Sequence, residues 1–402
     1  MNTLKSLFLS GSLLCFLLTS APLGAQSVIL TSDRQLEDLT YPDRKLDLSL
    51  GYSKYIRSLR EVCEEGKRNG SKEIVVAFDE FFRQYRNDTG AERKLTPDMD
   101  EYVDKIKTVS DFAKKYGLGL HLSLLSPLEL GPAYKKQTGH SGRWLAYKVG
   151  VRDPVTGSFS VPVWQQLYWT NNKGQSPLLL KNVKAYAFRE ARLDNSPFRV
   201  VDPAEILPLE NVRHEASDTL RSAAWGIGQS VGMRLLRVSG DTPELPGYNR
   251  VMVILEYETQ EMDYFNSDAP GFLKNLMKKY SDRGINLTSL YSDEMHIQQD
   301  WSYFSHHENG QFALRYLTHS MAEAFARKYG QPFDDKYMLY FAYGAPSFEP
   351  FALSVLNVQY VMGTEPEDIH RTFLLRDRYY KLLNSGVVDL FKEAKEYAER
   401  LF

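Results

Sequence analysis

The amino-acid sequence predicts an α/β fold, and within that class a (β/α)8 TIM-like barrel. Short continuous apolar runs are typical of strands that are buried on both faces, and here they alternate with helical segments as in βαβ units. Several of these runs end in an acidic residue, and barrels of this kind gather their chemistry at the carboxyl ends of their strands. The length of 402 residues is sufficient for one large barrel.

The composition is that of a folded, water-soluble protein. Apolar residues make up 43% and charged residues 25% of the chain, which excludes a disordered chain, a collagen-like repeat and a multispan membrane protein. The 49 basic and 51 acidic side chains give a formal charge of -2. This balance argues against nucleic-acid binding, because that function requires a strongly positive face.

Residues 1–25 are predicted to be a secretory signal peptide. Lys5 supplies the positive charge, Leu7–Leu18 the short apolar core, and Leu23–Ala25 a cleavage site before Gln26. The apolar core is too short to span a bilayer, and Leu14 before Cys15 does not fit a lipoprotein signal. We therefore expect an exported protein, periplasmic or extracellular, without a membrane span.

Cleavage leaves Cys63 as the single cysteine of the mature chain. The mature protein can therefore form no intramolecular disulfide. This suits a bacterial periplasm better than an animal secretory fluid.

Residues 26–402 are predicted to form one catalytic barrel. After a polar lead-in, we expect a helix over Tyr52–Lys67 and a strand over Ile74–Phe78. Thr96 and Pro97 predict the start of a helix that runs to Tyr116, and a second buried strand follows over Leu118–Leu125.

A β-rich insertion is predicted over about 150–215 because apolar and polar residues alternate between turn signals there, as in antiparallel strands with one wet face. The strands fall in Phe159–Trp169, Leu178–Arg192 and Arg199–Leu209.

The rest of the chain returns to the buried-strand pattern, giving about six strands of the parallel kind in all. Further strands are predicted over Val251–Tyr257, Asn286–Tyr291, Tyr337–Tyr343 and Val358–Met362, and helices over Gly271–Tyr280, Phe312–Tyr329, Phe351–Leu356 and Pro366–Asn384. A helical pattern over Asp389–Leu401 reaches the last residues without a C-cap. The barrel is therefore predicted to be incomplete at its carboxyl end, or else smaller and irregular.

The segment Tyr291–His296 carries the strongest chemical signal. Asp293 and Glu294 follow a predicted strand directly, and like-charge repulsion with partial burial can raise the pKa of one acid of such a pair. A raised pKa is what a general acid needs at neutral pH. His296 ends this segment, and Trp301, Tyr303, His306, His307 and Glu308 follow it.

Other candidate residues lie after or within the remaining strands. Asp79 and Glu80 repeat the acidic pair after the first predicted strand, where a carboxylate could hold a sugar hydroxyl or assist protonation, although helix capping or an ion pair with Arg83 or Arg86 is the favoured interpretation. His121 lies inside an apolar strand, where it is either a core histidine or a site residue near the strand's end. Glu365 follows a predicted strand and Glu349 precedes a helix, so both are candidates for a second catalytic carboxylate.

A metal site is the less favoured interpretation of the histidines. His296, His306, His307 and Glu308 could ligate zinc, but their spacing matches no HExxH-like motif. The sequence also lacks a GxSxG elbow, a P-loop and a GxGxxG turn. We therefore predict neither a metal nor a cofactor.

The acidic pair within Tyr291–His296, with Trp301 behind it, resembles TIM-barrel glycoside hydrolases. In their large retaining clan an Asn-Glu pair follows the fourth strand. In this chain an Asp-Glu pair follows the predicted strand Asn286–Tyr291, which is the fourth after those at Ile74, Leu118 and Val251. The chain also looks like the exported enzymes with which gut Bacteroidetes degrade pectin, and it resembles family 138, the rhamnogalacturonan-II α-galacturonidases. That resemblance implies two catalytic glutamates, which map to Glu294 and Glu365, and it spans roughly residues 70 to 385.

The sequence thus predicts a glycoside hydrolase whose partner is an oligosaccharide or polysaccharide. Glu294 is expected to protonate the leaving oxygen, with Glu365 or Glu349 as nucleophile or base. A uronic acid would pair with Arg143, His296 or His306, and Trp301 and Tyr303 would stack on the sugar.

Two alternatives remain open from the sequence. One is a carbohydrate-binding barrel that has lost hydrolysis, and the other is a metal-dependent hydrolase that uses the histidine cluster. Nothing in the sequence indicates an oligomeric state.

Overall fold

A computed structural model describes most of the chain after residue 25. The described residues are 26–48, 55–78, 94–166, 179–196, 198–222, 230–242, 245–259, 261–290, 292, 313–341 and 359–402.

The described strands and helices alternate along much of the chain. The strands are β1 (Gln26–Leu30), β2 (Leu46–Asp47), β3 (Ile56–Arg57), β4 (Glu73–Phe78), β5 (Gly119–Leu122), β6 (Arg143–Val151), β7 (Phe159–Gln166), β8 (Leu179–Phe188), β9 (Ala191–Arg192), β10 (Phe198–Val201), β11 (Leu207–Pro208), β12 (Arg213–Ser222), β13 (Ser230–Gly240), β14 (Arg250–Glu258), β15 (Leu287–Leu290), β16 (Ala313–Tyr316) and β17 (Gln359–Met362). The α-helices are α1 (Asp33–Leu39), α2 (Leu59–Arg68), α3 (Asp100–Lys114), α4 (Pro127–Thr138), α5 (Ala269–Asp282), α6 (His319–Tyr329) and α7 (Pro366–Leu401), and short 3-10 helices span Pro203–Glu205 and Asp335–Phe341.

A parallel sheet carries the βαβ part of the fold. Within the described chain its order is β1-β4-β5-β15, so the strands lie side by side in the same order as in the sequence. All three pairings are parallel. Helix α2 contacts β1 and β4, and α3 contacts β5. The α/β class predicted from the sequence is therefore confirmed.

The two faces of this sheet differ in burial. Side chains on successive strand residues point to opposite faces. One face presents fully buried side chains that include Val28, Ile74, Leu120 and Leu122. The opposite face presents half-buried residues, among them Ile29, Val75, His121 and Ser289. We call this second surface the half-open face.

Antiparallel strands occupy the chain between β5 and β15. A five-stranded sheet has the order β11-β8-β14-β6-β16, and a three-stranded sheet has the order β12-β13-β7, both counted over the described residues. Antiparallel strands are present where alternation predicts them, but they run from Arg143 to Glu258, beyond the predicted bounds of about 150–215, and β16 joins the five-stranded sheet from after β15.

Two segments that were predicted as barrel strands belong to other sheets. Val251–Tyr257 lies in β14, which pairs antiparallel with β6 and β8. A central strand that is covered on both faces has the same apolar sequence in either kind of sheet, which is why the pattern was misleading. The strand over Val358–Met362 is present as β17, but it pairs with β10 instead of with the four-stranded sheet.

Other boundaries also differ from the prediction. The segment Phe312–Tyr329 is not one helix, because Ala313–Tyr316 pairs with β6 before α6 begins. Tyr337–Phe341, predicted as the start of a strand, forms a buried 3-10 helix. The polar lead-in contains β1, which the sequence analysis missed.

Helix starts show why some boundaries moved. Helix α2 begins later than predicted because Ser58 and Glu61 form a capping box at its N-terminus. Helix α3 begins at Asp100, after Met99 rather than after Thr96. Pro366–Asn384 and Asp389–Leu401 are parts of the single helix α7, which is about 54 Å long at 1.5 Å per residue.

A closed (β/α)8 barrel stays a prediction. Among the described residues, neither β1 nor β15 pairs with a further strand, so the four-stranded sheet has two edges.

Candidate functional site

The carboxyl edge of the parallel sheet is where barrel enzymes place their chemistry. Here β4 ends at Phe78 and β15 ends at Leu290, with β5 between them. The Ser123 Oγ accepts a hydrogen bond of 2.9 Å from the Phe78 N–H. The Ser292 hydroxyl donates one of 3.0 Å to the Leu125 carbonyl oxygen. These bonds fix the ends of neighbouring strands relative to one another.

The acidic pairs follow two of these strands in the sequence. Asp79 and Glu80 come after β4, and Asp293 and Glu294 come after Ser292, two residues beyond β15. Adjacent strands lie about 4.8 Å apart, so the ends of β4 and β15 are separated by about 10 Å, which is two strand spacings.

Most of the predicted site residues lie outside the described residues, so their positions stay predictions. They are Asp79, Glu80, Asp293, Glu294, His296, Trp301, Tyr303, His306, His307, Glu308 and Glu349.

Glu365 occupies a different part of the fold. It is exposed and precedes α7, and its backbone N–H donates a hydrogen bond of 3.0 Å to Asp368 Oδ2. The strand before it, β17, is paired with β10. The assumption that Glu365 follows a strand of the parallel sheet is therefore wrong for the strands described, and its location agrees with a helix-start residue.

His121 lies on the half-open face, one residue before the carboxyl end of β5. It forms one row across the sheet with Ser27, Val75 and Ser289. Its Nδ1 is 3.3 Å from Glu73 Oε1, and the two side chains are 26% and 23% exposed. The sequence left open whether His121 is a core histidine, and its partial exposure argues against that interpretation.

Glu73 links three strands at this position. It is the first residue of β4 and contacts His121 of β5. It also accepts hydrogen bonds from two hydroxyls of β15, that of Thr288 at 2.5 Å and that of Ser289. Burial opposes its charge, but the two hydroxyls and the nearby imidazole outweigh that effect, so the pKa of Glu73 is lowered. Glu73 is therefore an ionised acceptor.

Arg143 belongs to a charged cluster on the five-stranded sheet. Its Nε lies 3.1 Å from Glu256 Oε1, and its Nη2 lies 4.0 Å from Asp335 Oδ2. Asp335 is buried and also binds the Lys184 ammonium and the Tyr186 hydroxyl, each at 2.6 Å. Burial raises the pKa of the Asp335 carboxyl, but Lys184 and Tyr186 lower it further than burial raises it. The cluster is a balanced ion-pair network that leaves Arg143 partly exposed.

Helix α4 connects this cluster with the parallel sheet. The helix begins at Pro127, soon after β5 ends, and Lys135 near its other end binds Glu258 of β14. Eight residues of helix rise about 12 Å. The charged face of the antiparallel sheet therefore lies within about one helix length of the carboxyl edge.

The sequence did not predict the side chains that His121 and Arg143 contact. Glu73 appeared to be a polar residue before an apolar run, and its contacts with β5 and β15 arise only when the strands assemble. Lys184 and Tyr186 are two positions apart in β8, with one residue between them, a spacing that does place them on one face. That spacing was a usable signal for the cluster at Asp335, which itself lies far away in the chain.

No set of three or more His, Cys, Asp and Glu side chains is placed to hold a metal ion among the described residues. No helix in the described part of the chain is long and apolar enough to cross a membrane.

No model of a protein family matches the chain, and no curated protein or solved structure matches it either.

Proposed function

We propose that the protein is an exported glycoside hydrolase that cleaves a plant or host polysaccharide, and that β1, β4, β5 and β15 are the first four strands of a (β/α)8-type barrel. The observation that carries the proposal is the strand order of this sheet. Of its four parallel strands, β15 comes fourth along the chain and also lies fourth in the sheet. The acidic pair Asp293-Glu294 follows that strand in the sequence.

A location of Glu294 after the fourth parallel strand agrees with the glycosidase pattern, but the four strands are not the four that the sequence predicted. The apolar run at Val251 is not a parallel strand, but β1 adds one at the start of the sheet. The strand before Glu294 therefore remains the fourth. Glu294 is the proposed general acid that protonates the leaving oxygen.

The second carboxylate has four candidates. Glu365 and Glu349 follow from the resemblance and the sequence. Asp79 and Glu80 join them because the strand before them ends about 10 Å from the end of β15, which is two strand spacings. Inverting glycosidases hold their carboxyl groups about 6.5–9.5 Å apart, whereas retaining enzymes hold them about 5–5.5 Å apart. A pair drawn from the second and fourth strands would thus favour inversion.

A substrate that contains a uronic acid, such as pectic galacturonic acid, is the proposed sugar class. Arg143 keeps 28% of its side chain exposed beside Glu256, so a uronate carboxylate could share its guanidinium through charge-assisted hydrogen bonds. His296, His306, Trp301 and Tyr303 are the further proposed contacts.

The test is hydrolysis of a panel of neutral and pectic oligosaccharides by the mature protein. Glu294→Gln keeps the size of the side chain and removes the acid. We expect it to lower kcat by about a hundredfold or more, in the range of a lost general acid, while the circular dichroism spectrum stays unchanged. Asp79→Asn, Glu80→Gln, Glu349→Gln and Glu365→Gln then identify the second carboxylate.

Near-parental turnover by Glu294→Gln would contradict the proposed mechanism. Saccharide binding without product in the parent protein would instead indicate a binding protein. Activity that a chelator abolishes and zinc restores would indicate the metal-dependent alternative.

A further inference from the structure

One face of the three-stranded sheet β17-β10-β9 gathers arginine side chains. Arg199 of β10 is paired with Arg192 of β9 on one side and with Tyr360 of β17 on the other. Residues that are paired in this way direct their side chains to the same face. Arg250, at the start of β14, reaches the same place because it binds the Glu190 carboxylate. Arg199 and Tyr360 contact that carboxylate as well.

Glu190 uses both of its carboxylate oxygens within this arginine cluster. Its Oε2 lies 3.0 Å from Arg250 Nε and accepts a hydrogen bond of 2.9 Å from the Tyr360 hydroxyl. Its Oε1 accepts a hydrogen bond of 3.1 Å from Arg250 Nη2 and lies 3.5 Å from Arg199 Nε. The Glu190 side chain is only 9% exposed. Its negative charge is therefore committed to contacts within the protein.

The positive charge of the cluster exceeds this negative charge. Arg192, Arg199 and Arg250 carry three guanidinium groups against the single carboxylate of Glu190. Within the described part of the chain, the Arg192 side chain has no ion-pair or hydrogen-bond partner, and neither have the two terminal nitrogens of Arg199. Arg192 is exposed, and the side chains of Arg199 and Arg250 are 23% and 31% exposed. Guanidinium donors at the surface are therefore available to an anion.

The position of Arg192 opposite Arg199 is unfavourable without such an anion. Directly opposed side chains of an antiparallel pair have Cβ atoms about 4.5–5.5 Å apart, and like charges at such a pair are destabilising. Glu190 offsets the charge of Arg199 but is not paired with Arg192. An anion bound between the two arginines replaces their repulsion with charge-assisted hydrogen bonds. The planar carboxylate group matches the fork of donors on a guanidinium.

We propose that Arg192, Arg199 and Arg250 form a site for the carboxylate groups of a polyuronate, which is a saccharide chain of uronic acids. The saccharide class rests on the proposed function, whereas the preference for a carboxylate follows from the guanidinium cluster. The site lies on a different sheet from β15, the strand that precedes Glu294. It holds the polymer and takes no part in bond cleavage.

The first experiment measures the binding of galacturonate oligosaccharides by isothermal titration calorimetry at low ionic strength. The parent of this series is the mature protein with Glu294→Gln, which prevents turnover during the titration. We expect Arg192→Gln to weaken binding about ten- to a hundredfold, the range for hydrogen bonds to charged groups. Arg327→Gln is the matched control, because it removes the same charge from a side chain on α6 that is 68% exposed. It should bind as the parent does.

Competing ligands test the preference for carboxylate. Oligosaccharides of the same length whose carboxyl groups have been reduced to alcohols should bind no better to the parent than to Arg192→Gln. Free galacturonate should displace the oligosaccharide more effectively than inorganic sulfate does at equal ionic strength. Stronger displacement by sulfate would indicate a general anion site and overturn the inference.

The second experiment measures stability without a ligand. Arg192→Gln removes the repulsion from Arg199, so we expect its urea midpoint to rise at low salt. The rise should shrink at high salt, where the charges are screened. A residue that only supports the sheet would lower the midpoint when replaced. Arg327→Gln, which loses an ion pair with Glu323, should show no rise.

The outcomes separate this inference from the proposed function. Absence of oligosaccharide binding to the parent overturns it, and so does a folded Arg192→Gln protein that binds as tightly as the parent. A lowered urea midpoint of Arg192→Gln at low salt also overturns it. Polyuronate binding that depends on Arg192, without hydrolysis by the protein that retains Glu294, would keep the inference and remove the proposed enzyme activity. Hydrolysis together with unchanged binding by Arg192→Gln would do the reverse.

Discussion

Asp263 shows how one side chain can oppose the stability of the fold that contains it. It is only 4% exposed. Its Oδ1 accepts hydrogen bonds from the Thr318 hydroxyl at 2.8 Å and from the Phe265 N–H at 3.2 Å. Burial outweighs these bonds and raises the pKa of the Asp263 carboxyl. The charged form is therefore less favourable in the folded protein than in the unfolded chain.

The sign of the pH dependence follows from that shift. An acid whose pKa is raised on folding contributes stability below the pKa of about 3.9 that aspartate has in the unfolded chain, and this contribution is lost as the pH rises through the folded-state value. Asp263→Asn removes the ionisation but keeps an acceptor oxygen for Thr318. We expect the stability of the variant relative to the parent to increase between about pH 4 and pH 7.

Urea denaturation across this pH range measures the effect. Asp194→Asn, at an exposed position, is the control and should show no comparable trend. A stability difference for Asp263→Asn that stays constant with pH would contradict the assigned pKa direction.

At the scale of elements, the pairing of β5 with β15 depends on Gly119, which has no side chain to separate the two strands. A Cβ added to Gly119 would lie 2.3 Å from Thr288 Cγ2 and 3.0 Å from Thr288 Oγ1. The same Thr288 hydroxyl donates to Glu73. Glycine therefore allows the fourth strand to approach closely enough for the contacts around His121 to form.

We expect Gly119→Ala to lower the free energy of unfolding by about 1–3 kcal/mol, as in other overpacked sites. Thr288→Ser removes the clashing methyl group and keeps the hydroxyl, so the double variant should recover much of the loss. Chemical denaturation of the single and double variants measures this coupling.

Gly271→Ala is the control for a glycine without such a constraint, because nothing lies within 4 Å of its added Cβ. We expect it to be neutral or slightly stabilising in α5. Equal losses for the two alanine variants would exclude the proposed contact between Gly119 and Thr288.

The sequence predicted the conformation of some short apolar segments correctly and of others wrongly. The continuous apolar run at Ile74–Phe78 became β4, as expected of a buried strand. Asn286–Tyr291 contains β15 at Leu287–Leu290, although this strand includes Thr288 and Ser289 and is only partly buried. The run at Tyr337–Phe341 is equally apolar but forms a 3-10 helix. Periodicity does not distinguish short buried segments, so the surrounding packing decides their conformation.

At the scale of the whole molecule, the sequence predicts export across the inner membrane. The expected outcome is that expression of residues 1–402 in a Gram-negative host gives a periplasmic protein whose first residue is Gln26. Intact-mass measurement of the periplasmic fraction tests this. Replacing Leu13 with Arg in the apolar core should retain the precursor in the cytoplasm, and export of that variant at the parental level would contradict the assignment.

The candidate site was predicted only in part for a physical reason. Acids after apolar runs are visible in the sequence, because their chemistry depends on residue type and on adjacency to a strand. Partners such as Glu73 for His121, and Lys184 with Asp335 for Arg143, come from distant segments. Their contacts depend on which distant segments of the chain come together, which no local pattern specifies.

The sequence alone determined the α/β class, the parallel strands at Ile74 and Leu118, and the presence of an antiparallel region, because hydrophobic periodicity is a local property of the chain. Tertiary structure decided which strands share a sheet. It placed β1 beside β4 and β14 and β17 in other sheets, so that β1 replaced the Val251 strand among the four parallel strands that end with β15. Sheet membership depends on long-range pairing and on the burial of both faces, and residues far apart in the sequence create these together.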